Sequence, residues 1–86
     1  MERMEYVIKD PDGIHARPAG IFVKRMQEFP CAIQVEKGDK KADGKKLFAV
    51  MKMAVKKGDA ITITADGERE AEAIAAVASV FAETGL

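Results

Sequence analysis

The chain has 86 residues, enough for one domain with a modest core, and its 48% hydrophobic and 33% charged content is that of a globular protein, not a disordered one. Fourteen basic residues balance fourteen acidic ones, which excludes a general nucleic-acid binder carrying a large basic surplus and leaves room only for a local basic patch. One cysteine, Cys31, cannot form an internal disulfide and with one histidine falls short of a zinc ligand set, while MERMEYVIKD is no signal peptide and no stretch is long enough for direct membrane insertion. The expectation is a reduced, cytoplasmic protein.

Residues 3–8 alternate, with Met4, Tyr6 and Ile8 on one side and Arg3 and Glu5 on the other, as in a half-buried strand. Asp10-Pro11-Asp12-Gly13 reads as a turn. From Ala16 the period lengthens: Ala19, Phe22, Val23 and Met26 fall at i, i+3, i+4 and i+7, the buried stripe of a helix. Pro18 suits its first turn, where a missing N–H has no helical partner to lose, and Phe29-Pro30 should end it. Ile33 and Val35 alternate with Gln34 and Glu36 in a second strand, then Lys37-Gly38-Asp39-Lys40 makes a hairpin turn into a short polar strand over 40–43. After Asp43-Gly44, residues 46–54 predict a short apolar helix, closed by Lys57-Gly58-Asp59. Ile61, Ile63 and Ala65 alternate with Thr62 and Thr64 in a fourth strand. Asp66-Gly67 opens the last helix, whose Glu68, Glu70 and Glu72 suit the positive end of the dipole. Its core stripe reads Ala71, Ile74, Val77, Ala78 and Phe81, with Gly85 as the C-terminal cap.

The order β-α-β-β-α-β-α, with one apolar face per strand, predicts an α+β fold: a four-stranded, mainly antiparallel sheet with all helices on one face, in one domain over 1–86. The outward strand positions Arg3, Glu5, Gln34, Glu36, Thr62 and Thr64 offer no stacking platform for RNA. A metal-binding module of this topology would carry a cysteine pair in its first loop, which is absent. Ser79 lies mid-helix and Cys31 has no base near it in sequence, so neither suggests a hydrolase; Cys31 reads as a small buried thiol.

The stretch GIHARPAG, residues 13–20, holds the only histidine. With Pro18 in the first helical turn, His15 lies at or just before the N-cap, where free backbone N–H groups and the dipole suit an anion, above all phosphate. The same field opposes protonation, so a neutral imidazole ready as a nucleophile is expected. Arg17 can hold phosphoryl oxygens directionally, and Gly13 allows a sharp turn or close approach. A lone histidine at a helix start is ordinarily a solvated surface residue; its convergence with Arg17 and Pro18 favours phosphoryl transfer onto a ring nitrogen instead.

Opposite the core stripe, Arg17, Gly20, Ile21 and Lys24 share a second face of the first helix. If Val50, Met53 and Ala54 of the short helix face the sheet, Phe48 points outward, Met51 lies near the edge and Leu47 falls between. Exposed Phe and Met near a reactive group suggest a docking patch, which Lys45, Lys46 and Lys52 would ring with positive charge suited to acidic partners.

GIHARPA between a strand and a helix, together with KKLFAVMKMAVKKGD and TITADGEREAEAI, closely resembles the HPr family over essentially the whole chain. These are the histidine-containing phosphocarriers of the bacterial phosphoenolpyruvate-dependent sugar phosphotransferase system. The resemblance implies an open-faced β-sandwich and a phosphoryl-transfer intermediate, with no cofactor and no metal, that turns over no substrate of its own. It implies that His15 accepts phosphate on Nδ1 from enzyme I, the phosphoenolpyruvate-protein phosphotransferase, and donates it to A-type domains of enzyme II. Arg17 then stands at the active centre and, with Gly20, Ile21, Lys24, Lys46, Leu47, Phe48, Met51 and Lys52, belongs to the partner-binding surface of a monomer. One departure stands out: where many relatives carry a regulatory serine before the hydrophobic pair of the short helix, this chain has Lys46, so no regulatory phosphorylation is expected there. A regulatory module of the same fold, serving a nitrogen-related branch or a transcriptional partner, would use the same His15 and patch.

Overall fold

Alternating apolar residues place one side of each strand in the core, and the four strands join into one sheet. A computed structural model describes all 86 residues. It contains β1 (Glu2–Val7), α1 (Ala16–Met26), β2 (Ala32–Lys37), β3 (Lys40–Asp43), α2 (Leu47–Lys52), β4 (Ala60–Asp66) and α3 (Glu70–Thr84). The strands lie in the order β1-β4-β2-β3, every pair antiparallel, in registers such as Met4 opposite Ile63, Val35 opposite Ile63 and Val35 opposite Ala42. This is the α+β, open-faced arrangement that the sequence pattern predicts.

The core is one cluster of 21 buried residues with no buried polar or charged side chain. Ile33, Val35, Ile61, Ile63 and Ala65 supply the sheet face, and Ala19, Phe22, Val23 and Met26 of α1 lie among them as their spacing requires. Burying a side chain such as Ile63 contributes about 2 kcal/mol. Phe81 joins the layers, with its ring centroid 4.6 Å from Tyr6 and 5.9 Å from Phe22. Cys31 is buried just ahead of β2.

Three expectations need correction. In α3 the buried face is Ala73, Val77, Val80 and Phe81; Ala71 and Ala78 are exposed and Ile74 is half-buried. Alanine recurs so often here that the apolar pattern has little contrast, and the helix begins only at Glu70, after Arg69 in a left-handed conformation. The short helix runs over 47–52 rather than 46–54: Val50 and Met53 are buried, but Ala54 is exposed and has φ 51°, which ends the helix. The first helix stops at Met26, with Gln27 as its C-cap, before the Phe29-Pro30 signal is reached. Gly85, at φ 75°, caps α3 as its composition predicts.

Candidate functional site

The loop between β1 and α1 is tied down from several sides. Gly13 N–H donates to Asp10 O at 2.9 Å, closing a turn, and Asp12 N–H donates to Asp10 Oδ1 at 2.8 Å. Ile14 N–H donates to Val55 O at 3.1 Å, which fastens the loop to the segment after α2. Gly13 has φ 66°, and a Cβ there would collide with the Val55 carbonyl, so both the backbone conformation and the close approach require glycine. Leu86, fully buried, accepts at its backbone oxygen from Lys9 N–H at 2.5 Å and from Asp10 N–H at 3.4 Å.

This frame presents His15 as the N-cap of α1, in extended backbone, with its side chain 42% exposed. Its carbonyl accepts from Ala19 N–H at 3.0 Å, so the helix starts immediately after it. Ala16 and Arg17 N–H have no partner within the chain, Pro18 has none to offer, and no acidic side chain occupies the first turn. The positive end of the dipole is therefore open to an anion beside the imidazole. Arg17 is exposed and makes no ion pair within the chain.

Asp10 is the residue that sequence reasoning missed. Its Oδ2 lies 3.4 Å from His15 Nε2. The Asp10 carboxyl is held below its ordinary value, first by the Asp12 N–H and then by His15, against an opposing effect of partial desolvation. The signal was present as a carboxylate five residues before the histidine, but only the folded-back turn brings the two together. Asp10, Asp12 and His15 each present one ligand atom within 4.8 Å of the others. Both Asp10 oxygens are already engaged inside the loop.

The remaining candidate residues lie on α1 and α2, which pack together. Gly20 and Ile21 are half-buried and Lys24 is exposed. An added Cβ at Gly20 would meet no atom within 4 Å, so this position is a bare spot on the helix surface. Phe48 is 76% exposed and Met51 36%, whereas Leu47 is half-buried against the core edge. Lys46 is the N-cap of α2, exposed and without a side-chain capping bond, and Lys52 is exposed. Lys45 differs from its neighbours: its Nζ donates to Phe29 O at 2.6 Å, so it braces the fold.

An exposed imidazole at an open helix N-terminus, on a chain whose packed α1 and α2 also leave Phe48 and Met51 exposed, has the form of a group carrier. Residues 3–83 match the family described as PTS HPr component phosphorylation site. The chain is 38% identical over 86 residues to the phosphocarrier protein HPr of Lysinibacillus sphaericus, covering 100% of this chain and 98% of that protein. It is similar to the solved histidine-containing phosphocarrier protein of Mycoplasma, with TM-score 0.97 and 35% identity over 99% of this chain and 97% of the other. It is similar also to the phosphocarrier protein HPr of Bacillus anthracis, with TM-score 0.84 and 32% identity over 92% and 94%. The chain belongs to the HPr family. It is a phosphocarrier of the phosphotransferase system, passing a phosphoryl group between enzymes without turning over a substrate of its own. Membership implies enzyme I and enzyme II A-type domains as partners, and carriers of this family are cytoplasmic components of that system. No helix of this chain is long and apolar enough to cross a membrane.

Proposed function

We propose that His15 Nδ1 is the phosphoryl acceptor, with Arg17 and the N–H groups of Ala16 and Arg17 holding the phosphoryl oxygens. The observation that carries this reading is the exposed His15 ring at a helix N-terminus whose first N–H groups are unpaired. Nε2 faces Asp10, which leaves Nδ1 as the nitrogen without an internal partner. In transfer, the Nδ1 lone pair forms the N–P bond, the bond from phosphorus to the donor's leaving atom breaks, and that electron pair stays with the donor.

Gly20, Ile21, Lys24, Lys46, Leu47, Phe48, Met51 and Lys52 form the surface that both partners use in turn. Exposed Phe48 beside lysines supports this, since an apolar anchor ringed by positive charge fits an acidic rim around an apolar pocket. The chain works as one domain and as a monomer, because a carrier that shows one face to two enzymes must keep that face free. Lys46 has no hydroxyl to phosphorylate and keeps its positive charge at the start of α2, so kinase control at this position is absent.

The test is intact mass after incubation with phosphoenolpyruvate, Mg²⁺ and enzyme I. One acid-labile phosphate is expected on the wild type and none on His15→Ala. Phosphate retained by His15→Ala would place the acceptor elsewhere.

A further inference from the structure

Asp10 is buried more deeply than the histidine it faces: its side chain is 16% exposed against 42% for His15. It is also held from three directions. Its N–H donates to Leu86 O at 3.4 Å, its carbonyl accepts from Gly13 N–H at 2.9 Å, and its Oδ1 accepts from Asp12 N–H at 2.8 Å. With Oδ1 spent on the loop, Oδ2 is left 3.4 Å from His15 Nε2. An ionised carboxylate offers only acceptor sites, so the Nε2 that faces it must carry the proton. The neutral ring then has its lone pair on Nδ1.

We propose that Asp10 is a positioning residue for phosphoryl transfer: it fixes the His15 tautomer with the proton on Nε2 and the nucleophilic lone pair on Nδ1. This rests on the reading of His15 as the phosphoryl acceptor. The proton balance follows directly. When Nδ1 forms its bond to phosphorus, no proton has to leave the attacking nitrogen. The ring keeps its Nε2 proton and gains positive charge, which the Asp10 carboxylate faces. When the phosphoryl group moves on to the next acceptor, the electron pair returns to Nδ1 and the same tautomer is restored. Asp10 thus serves both directions of carriage without touching the phosphoryl group, as a buried carboxylate orients a histidine in nucleophilic triads.

The sharpest probe is Asp10→Asn, which is nearly isosteric. Its Oδ1 still accepts from Asp12 N–H, so the turn keeps its internal bond, while the atom facing Nε2 changes from acceptor to N–H donor. Ring ¹⁵N shifts of His15, read in mildly alkaline buffer, report the tautomer directly. The wild type is expected to show the proton on Nε2, and Asp10→Asn to move it towards Nδ1. Acceptance of phosphate from enzyme I should slow by about tenfold, the scale of a disturbed orienting partner. Asp10→Ala, which removes both roles, serves as the second variant; its ring shifts should move towards those of a solvated histidine. Unchanged ¹⁵N shifts in both variants would overturn the assignment of Asp10. A wild type that takes no phosphate would overturn the acceptor reading instead, and that result appears before any variant is made.

Discussion

Gly13 and Gly20 lie seven residues apart in one motif and do opposite things. Gly13 holds a left-handed turn against the Val55 carbonyl, whereas the surface at Gly20 is open. Gly13→Ala should therefore cost roughly 3 kcal/mol, since strained backbone and a steric clash add. Gly20→Ala should raise stability by about 1 kcal/mol through helix propensity alone. Thermal unfolding of the two variants separates them by sign. Gly20→Ala should nevertheless weaken enzyme I binding, because the new methyl group stands where a partner would approach; unchanged affinity would remove Gly20 from the docking surface.

The elements show what was readable from spacing and what was not. In α1 the contrast between Phe22, Val23, Met26 and the polar positions between them is strong, and all four residues of the predicted stripe are buried, joined by Pro18 of the first turn. In α3 alanine occupies both faces, so periodicity could not separate Ala71 and Ala78, which are exposed, from Ala73, which is buried. In α2 the rotation was readable from Val50 and Met53, but its end was not, because alanine at position 54 gives no warning of a left-handed backbone. His15 at the N-cap followed from Pro18 and the helical period, whereas the Asp10 partner depended on how a four-residue turn folds back. The rotation of α2 carries its own test. Phe48→Ala, at a 76% exposed position, should change stability by no more than about 0.5 kcal/mol while weakening partner binding about tenfold. Met53→Ala, at a buried position just past the same helix, should cost about 3 kcal/mol. Denaturant unfolding paired with a binding titration checks both, and a large stability loss in Phe48→Ala would show it to be core.

Across the whole molecule, zero net charge conceals an uneven distribution: eight of the fourteen basic residues lie between Lys37 and Lys57. Two carboxylates brace this basic stretch and the histidine loop: Asp59 ties the first to β2, and Asp10 holds the second closed on itself. Asp59 accepts from Lys56 N–H at 2.8 Å and pairs with Lys37 at 3.0 Å. Its carboxyl is held below the ordinary value, first by the Lys56 N–H and then by Lys37; Asp10 is held low chiefly by the Asp12 N–H. A lowered folded value means that each contributes stability above its unfolded value, near 3.8, and that this contribution is lost as the pH falls through the folded value. Acid should therefore loosen both loops before the sheet. The Asp12 and Lys56 amide signals are expected to titrate with midpoints below 3.8, and midpoints above that value would contradict the bonding described.

The strand order has a further consequence for the time at which the protein becomes competent. β1 pairs only with β4, so the strand that leads into the histidine loop has no sheet neighbour until residues 60–66 exist. Ile14 needs Val55, and Lys9 needs Leu86, for the bonds that shape the loop. On the ribosome, the histidine loop must wait for these later segments before it can close, as sequence-distant contacts generally do. A shortened chain ending before β4 would carry the whole GIHARPAG stretch and still lack the frame that makes it a site.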